Sequence, residues 1–180
     1  MKYKRSIQVL TQTGVMTALL VVLQAVAIPL GSTLVTGSIV NLLLILSVML
    51  CGAEPGLAVG AVSPVLAKLF GIGPLWGCIP FIILGNATLV LLWHSIGKCR
   101  RLRRLPGYLL ALVAAAAAKS AVLYVGIVKL AIPYLFRLPA QQAAVLSGMF
   151  SASQLLTAAV GGGIAVLLLP VLHRALHREA

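Results

Sequence analysis

The chain has 180 residues, of which 61% are hydrophobic and 9% charged, and its mean hydropathy is +1.12. A soluble domain carries roughly 25% charged residues, so there is too little polar side chain here to cover a water-facing surface. The composition is that of an integral membrane protein, and the net charge of +12 reads as membrane orientation and contact with anionic lipid, not as nucleic-acid binding.

Six apolar spans follow in order, at about 9–30, 38–51, 55–70, 75–97, 107–130 and 145–172, and they predict a single domain, an all-α bundle of six transmembrane helices. The first span carries Thr13, Thr17 and Gln24 on one stripe and the small residues Gly14 and Ala18, then Val22 and Ala25, on the next; small residues four apart let another helix approach closely. No small-residue cleavage site follows it, so the span is expected to be retained. Pro29 and Gly31 end it, and residues 32–37 read as a short loop or re-entrant turn.

The second span is short and holds Asn41 near its outer end. Gly52, Gly56 and Gly60 then step at four-residue intervals, with Glu54-Pro55 suited to the first turn of the third helix. Pro64 lies inside that helix and frees a carbonyl that a neighbour must satisfy. Lys68, near its outer end, is placed to snorkel to the interface. Trp76 marks a water boundary at the start of the fourth span, Asn86 lies near mid-depth, and His94 reads as an interfacial side chain.

The basic cluster Lys98, Arg100, Arg101, Arg103 and Arg104 precedes the fifth span. The run 114–118 is all alanine and is followed at once by Lys119, a cation that costs at least ~2.5–3.5 kcal/mol near mid-bilayer and so points to a functional role, the alternative being a lysine that snorkels or bonds backbone carbonyls of neighbouring helices. Tyr124 and Lys129 lie further along. Pro133, Arg137 and Pro139 mark a longer connection, about 131–144, before the sixth span, whose Ser147, Ser151, Gln154, Thr157 and Gly161 form a small polar stripe. Lysine and arginine number three before the first span, five after the fourth and two in the tail, which places both termini in the cytoplasm.

At 1.5 Å per residue, Lys119 lies roughly 18 Å from the cytoplasmic start of its helix, Asn86 roughly 15–17 Å and Gln154 roughly 12–14 Å from the outer ends of theirs. Gln24 and Asn41 are shallower on the outer side. Polar groups in lipid turn to the bundle interior, so these are expected to share a cavity open to the outside, with Trp76 and Tyr124 adding stacking surface. One cation among amides suits an anionic or zwitterionic solute. Enzymatic chemistry is not expected: the sequence has no phosphate-binding Gly-rich Lys-Ser/Thr loop, no paired intramembrane acids, no zinc motif and no nucleophile elbow. Cys51, Cys78 and Cys99 are isolated, so no metal or other cofactor is expected.

The stretch "LLLILSVMLCGAEPGLAVGAVSPVLAKLFG", with "PFIILGNATLVLLW" and "AAKSAVLYV", resembles the substrate-binding S components of energy-coupling factor (ECF) transporters. The resemblance covers nearly the whole chain. It implies a substrate-capture subunit in a prokaryotic plasma membrane that binds a vitamin or related micronutrient in an outward-facing pocket. The subunit then docks on a transmembrane T component with two cytoplasmic ATPases and releases the solute inside. The family's docking surface uses small residues four apart in the first helix; Gly14 and Ala18 match, with Val22 at the next step. Its pocket uses helices four to six, where Asn86, Lys119 and Gln154 lie. The competing expectations are a stand-alone transporter or flippase, and a ligand-free membrane assembly subunit.

Overall fold

Within a bilayer no water receives the backbone amides and carbonyls, so long apolar runs fold as helices, which bond their peptides internally. The computed structural model describes residues 2–99 and 104–176, and among them the regular elements are all helical. Met1, Arg100, Arg101 and Arg103 of the basic cluster, and His177, Arg178 and the rest of the tail, lie outside the described residues, as do the side chains of residues 2–4, 104 and 176.

Helix α1, Lys2–Ala27, tightens into a 3-10 turn, Ile28–Leu30, closed by Gly31 at φ 61°. Helix α2, Thr33–Leu46, opens into π-type turns over Ser47–Cys51. Gly52, at φ 109°, makes the reversal that a side chain would strain, and α3, Ala53–Leu69, follows. Helix α4, Ile79–Leu92, is preceded by a 3-10 turn, Trp76–Cys78, and prolonged by π turns, Trp93–Gly97. Helix α5, Arg104–Leu123, runs on in π form through Tyr124–Phe136. Helices α6, Ala140–Met149, and α7, Ala152–Leu176, are separated by a break at Phe150–Ser151.

Five stretches among the described residues are long and apolar enough to cross a membrane: Arg5–Leu30, Thr33–Cys51, Trp76–Gly97, Leu105–Phe136 and Ala140–Ala175. Helix α3 has 17 residues, or about 25 Å, somewhat less than a hydrocarbon core of ~30 Å. Three sequence expectations are corrected. Residues 33–37 are the first turns of α2, because Ser32 acts as its N-cap and accepts from Val35 N at 3.4 Å. The fifth helix does not end at residue 130: Pro133 is accommodated inside the π-form segment, and the stop is Arg137, left-handed at φ 45°. The expected connection 131–144 therefore shrinks to the short link 137–139, and the sixth span, expected from residue 145, starts at Ala140.

Helix α7 packs on α2 and α5, and α3 lies between α1 and α4. The tightest approach of α7 to α2 is at Gly161, where a Cβ would collide with the Ser38 carbonyl. One apolar cluster, built round Trp93, Leu44, Leu89 and Tyr108, fills the end of the bundle that holds Arg5 and Glu54. A smaller one, round Cys78, Leu123, Ile127 and Phe150, fills part of the other end. The polar site lies beside and between them.

Candidate functional site: a buried lysine at the base of a cavity

The small surface of the alanine run lets α4 and α7 pack closely on α5, and Lys119, which follows the run, is 3% exposed. Its Nζ donates to Asn41 Oδ1 at 2.6 Å and to Asn86 Oδ1 at 2.8 Å. An ammonium has three N–H donors; among the described residues the third has no partner, and Lys119 lines the cavity described below.

Both amides are held from behind, and this decides which way they face. Proline has no N–H, so Pro64 leaves the Gly60 carbonyl of α3 free, and Asn86 Nδ2 donates to that carbonyl at 3.0 Å. Gly60 makes room for it, since a Cβ there would lie 3.3 Å from Asn86 Cβ. Asn41 Nδ2 donates to Thr157 Oγ1 at 3.2 Å, and Thr157 Oγ1 donates to the Gln154 carbonyl at 3.0 Å. With each NH₂ engaged by a neutral acceptor, each Oδ1 is turned to Lys119. The network joins α2, α3, α4, α5 and α7.

Among the described residues no carboxylate takes part. The acids of the whole chain are Glu54 and Glu179. Glu54 pairs with Arg5 at 2.6 Å on the surface of the opposite end, with side chains 60% and 72% exposed. Such an exposed pair contributes about 0–1 kcal/mol. Among the described residues the Lys119 amine is thus partnered by amide oxygens and by no acid.

Above it is a cavity of about 390 Å³. Its mouth is formed by the α1–α2 turn, with Ile28 and Gly31 to Thr33, and by the α3–α4 turn, Gly71 to Pro74. Leu20, Ile82, Leu123 and Phe150 give apolar wall; Gln24, Ser63, Gln154 and Thr157 give polar wall. Gln24 is 8% exposed, and its Oε1 has no partner. The volume lies in the range of sites for small organic ligands, roughly 300–1,000 Å³. Among the described residues no group of His, Cys, Asp and Glu is placed to hold a metal ion.

The chain matches the family model described as ECF transporter, substrate-specific component, over residues 8–173. It belongs to that family. No curated protein and no solved structure matches it. An S component is a transport subunit, not an enzyme.

In this S component Lys119, Asn86, Asn41 and Gln154 are brought together along one cavity. Gln154 also braces the α6–α7 break, its Nε2 donating to the Met149 carbonyl at 3.0 Å. Trp76 and Tyr124 are not among the lining residues: Trp76 is 54% exposed, and Tyr124, 37% exposed, lies under the Lys129 ammonium at 5.5 Å. Gly14, Ala18 and Val22 share the exposed face of α1, and a Cβ on Gly14 would meet nothing within 4 Å. Ser63, Thr36, Ser153 and Lys68 also line the cavity and were not expected there.

Proposed function

We propose that this S component captures a small anionic micronutrient of vitamin size, carried on a carboxylate or phosphate, in the cavity above Lys119. The observation that carries the reading is the uncompensated cation at the cavity base, whose third N–H is free. A unit anion about 4 Å from it gains about 4 kcal/mol at an effective dielectric of 20, which is roughly a thousandfold in affinity. The apolar wall suits the body of such a solute, and Gln24 Oε1 suits a donor on it.

The end bearing Arg5, Glu54 and Lys98 is taken as cytoplasmic by the positive-inside rule, so the cavity faces outward in a prokaryotic plasma membrane. The exposed small face of α1, Gly14-Ala18-Val22, is the surface proposed to dock on the T component, which with two ATPases supplies the energy. The reading is tested by capturing the tagged chain from its native membranes. Co-capture of a T component and two ATPases, with a small acid in the same preparation, is expected. A chain that carries no ATPases would refute it in favour of a stand-alone transporter, and one that assembles but never holds a solute would favour a ligand-free subunit.

A further inference from the structure

We propose that Lys68 is the mouth cation of this site: it draws the anionic solute in, while Lys119 retains it, so that two lysines divide association from retention. This rests on the capture reading above. Lys68 lies in the last turn of α3 and is half-buried. It lines the main cavity and also a second one, of about 560 Å³, between the α3–α4 turn and α6. The two cavities share Lys68, Gly73, Pro74 and Met149, so Lys68 stands on the wall common to both, beside the α3–α4 turn at the mouth. Among the described residues its ammonium has no hydrogen bond and no ion pair, while its backbone carbonyl accepts from Gly71 N at 3.0 Å. Among the described residues no acid lines either cavity, and Glu54 is engaged by Arg5 at the other end.

The remaining cations of that end, Lys129 and Arg137, line neither cavity, and Lys129 is over the Tyr124 ring. The field at the mouth is therefore set chiefly by Lys68. Along α3, Lys68 is eight residues beyond Gly60, whose carbonyl holds Asn86 and through it Lys119; this places the Lys68 backbone about 12 Å nearer the mouth. The Debye length is ~8 Å at physiological ionic strength for charges in contact with solvent. Salt thus weakens the pull of Lys68, which meets solvent, far more than that of Lys119, which is enclosed. Charges at a cleft mouth act on association rates, and buried partners act on dissociation.

The test needs no identified solute. A reporter, Ser153→Cys on the cavity wall, is placed in a full-length chain whose Cys51, Cys78 and Cys99 are alanine. Its reaction with an anionic sulfonatoethyl and a cationic trimethylammonioethyl methanethiosulfonate is timed, with Thr36→Cys as a second reporter should the first fail to fold. A unit charge within about 8 Å of the sulfur changes the anionic-to-cationic rate ratio about fivefold in water. Lys68→Gln is expected to lower the ratio by that order and remove most of its salt dependence, whereas Arg137→Gln changes it less than about twofold. An unchanged ratio in Lys68→Gln, or an equal fall in Arg137→Gln, overturns the proposal. Small-molecule mass spectrometry of the same parent preparation separates it from the capture reading. A retained acid with an unchanged ratio sinks the mouth role alone; a falling ratio with no retained solute sinks capture and supports Lys68 as the source of the mouth's field.

Discussion

Replacing Asn41 by aspartate exchanges one NH₂ for an oxygen and leaves the atom facing Lys119 where it is, 2.6 Å from Nζ. The Thr157 hydroxyl, which now accepts from Asn41 Nδ2 and donates to the Gln154 carbonyl, can turn and donate to the new carboxylate. The cost is one neutral hydrogen bond, about 1 kcal/mol. The variant thereby gives Lys119 the counter-charge that the solute is proposed to bring. With charge centres about 4 Å apart at an effective dielectric of 20, that counter-charge cancels about 4 kcal/mol of attraction for an incoming anion. Affinity for the captured solute is expected to fall roughly a thousandfold. Stability should change little, because desolvating a second charge roughly offsets the new attraction. Asn41→Leu removes both hydrogen bonds of the Asn41 side chain, to Lys119 and to Thr157, without adding charge, and should cost binding less than Asn41→Asp. Isothermal titration with the solute released from the parent, beside thermal unfolding of each empty variant, gives both quantities. A folded Asn41→Asp chain that binds within tenfold of the parent would refute the idea that the charge of Lys119 is what the solute meets.

Other perturbations probe separate parts of the same arrangement. Lys119→Met keeps the side-chain length without the charge, and should abolish solute retention in a chain that remains monodisperse in detergent; retention at parental affinity would remove Lys119 from the site. Pro64→Ala restores an N–H that competes for the Gly60 carbonyl, so the helix should be no less stable while Asn86 loses its brace and affinity drops about tenfold, of the order of one neutral hydrogen bond. Gly161→Ala forces a methyl onto the Ser38 carbonyl and the Asn41 Cβ; overpacking of this kind costs about 1–3 kcal/mol, visible as a lowered melting temperature, with binding weakened through Asn41. Ala18→Leu enlarges the exposed face of α1 and should leave solute retention intact while preventing co-purification with the ATPases, and normal assembly would count against that docking face.

Lys119, Asn86 and Asn41 were legible because amides and charges are scarce in an apolar chain and the helical rise gives their depth. Rotation about each helix is less legible. Tyr124 follows Lys119 by five residues, about 140° round an α-helix, and the switch to π-form turns at that residue moves it further from any ideal register. Trp76 belongs to a short 3-10 turn whose direction depends on how the chain packs. The need for a partner at the carbonyl freed by Pro64 could be read from sequence, but not that the partner would be Asn86, 26 residues away. Helix ends are less legible: Arg137 takes the left-handed position that glycine commonly holds, and Ser32, a usual N-cap residue, lies so close to Pro29 and Gly31 that the stretch reads as a loop. The place of Lys68 near a helix end suggests snorkelling to the interface; that it lines both cavities depends on how the α3–α4 turn and α6 pack, which sequence alone does not show.

The most direct test of capture by a buried lysine is mass spectrometry of the small molecules released from the purified chain and from Lys119→Met prepared in parallel. The arrangement predicts one stoichiometric species bearing a carboxylate or phosphate in the parent and none in the variant. A neutral or cationic species retained equally by both would contradict it.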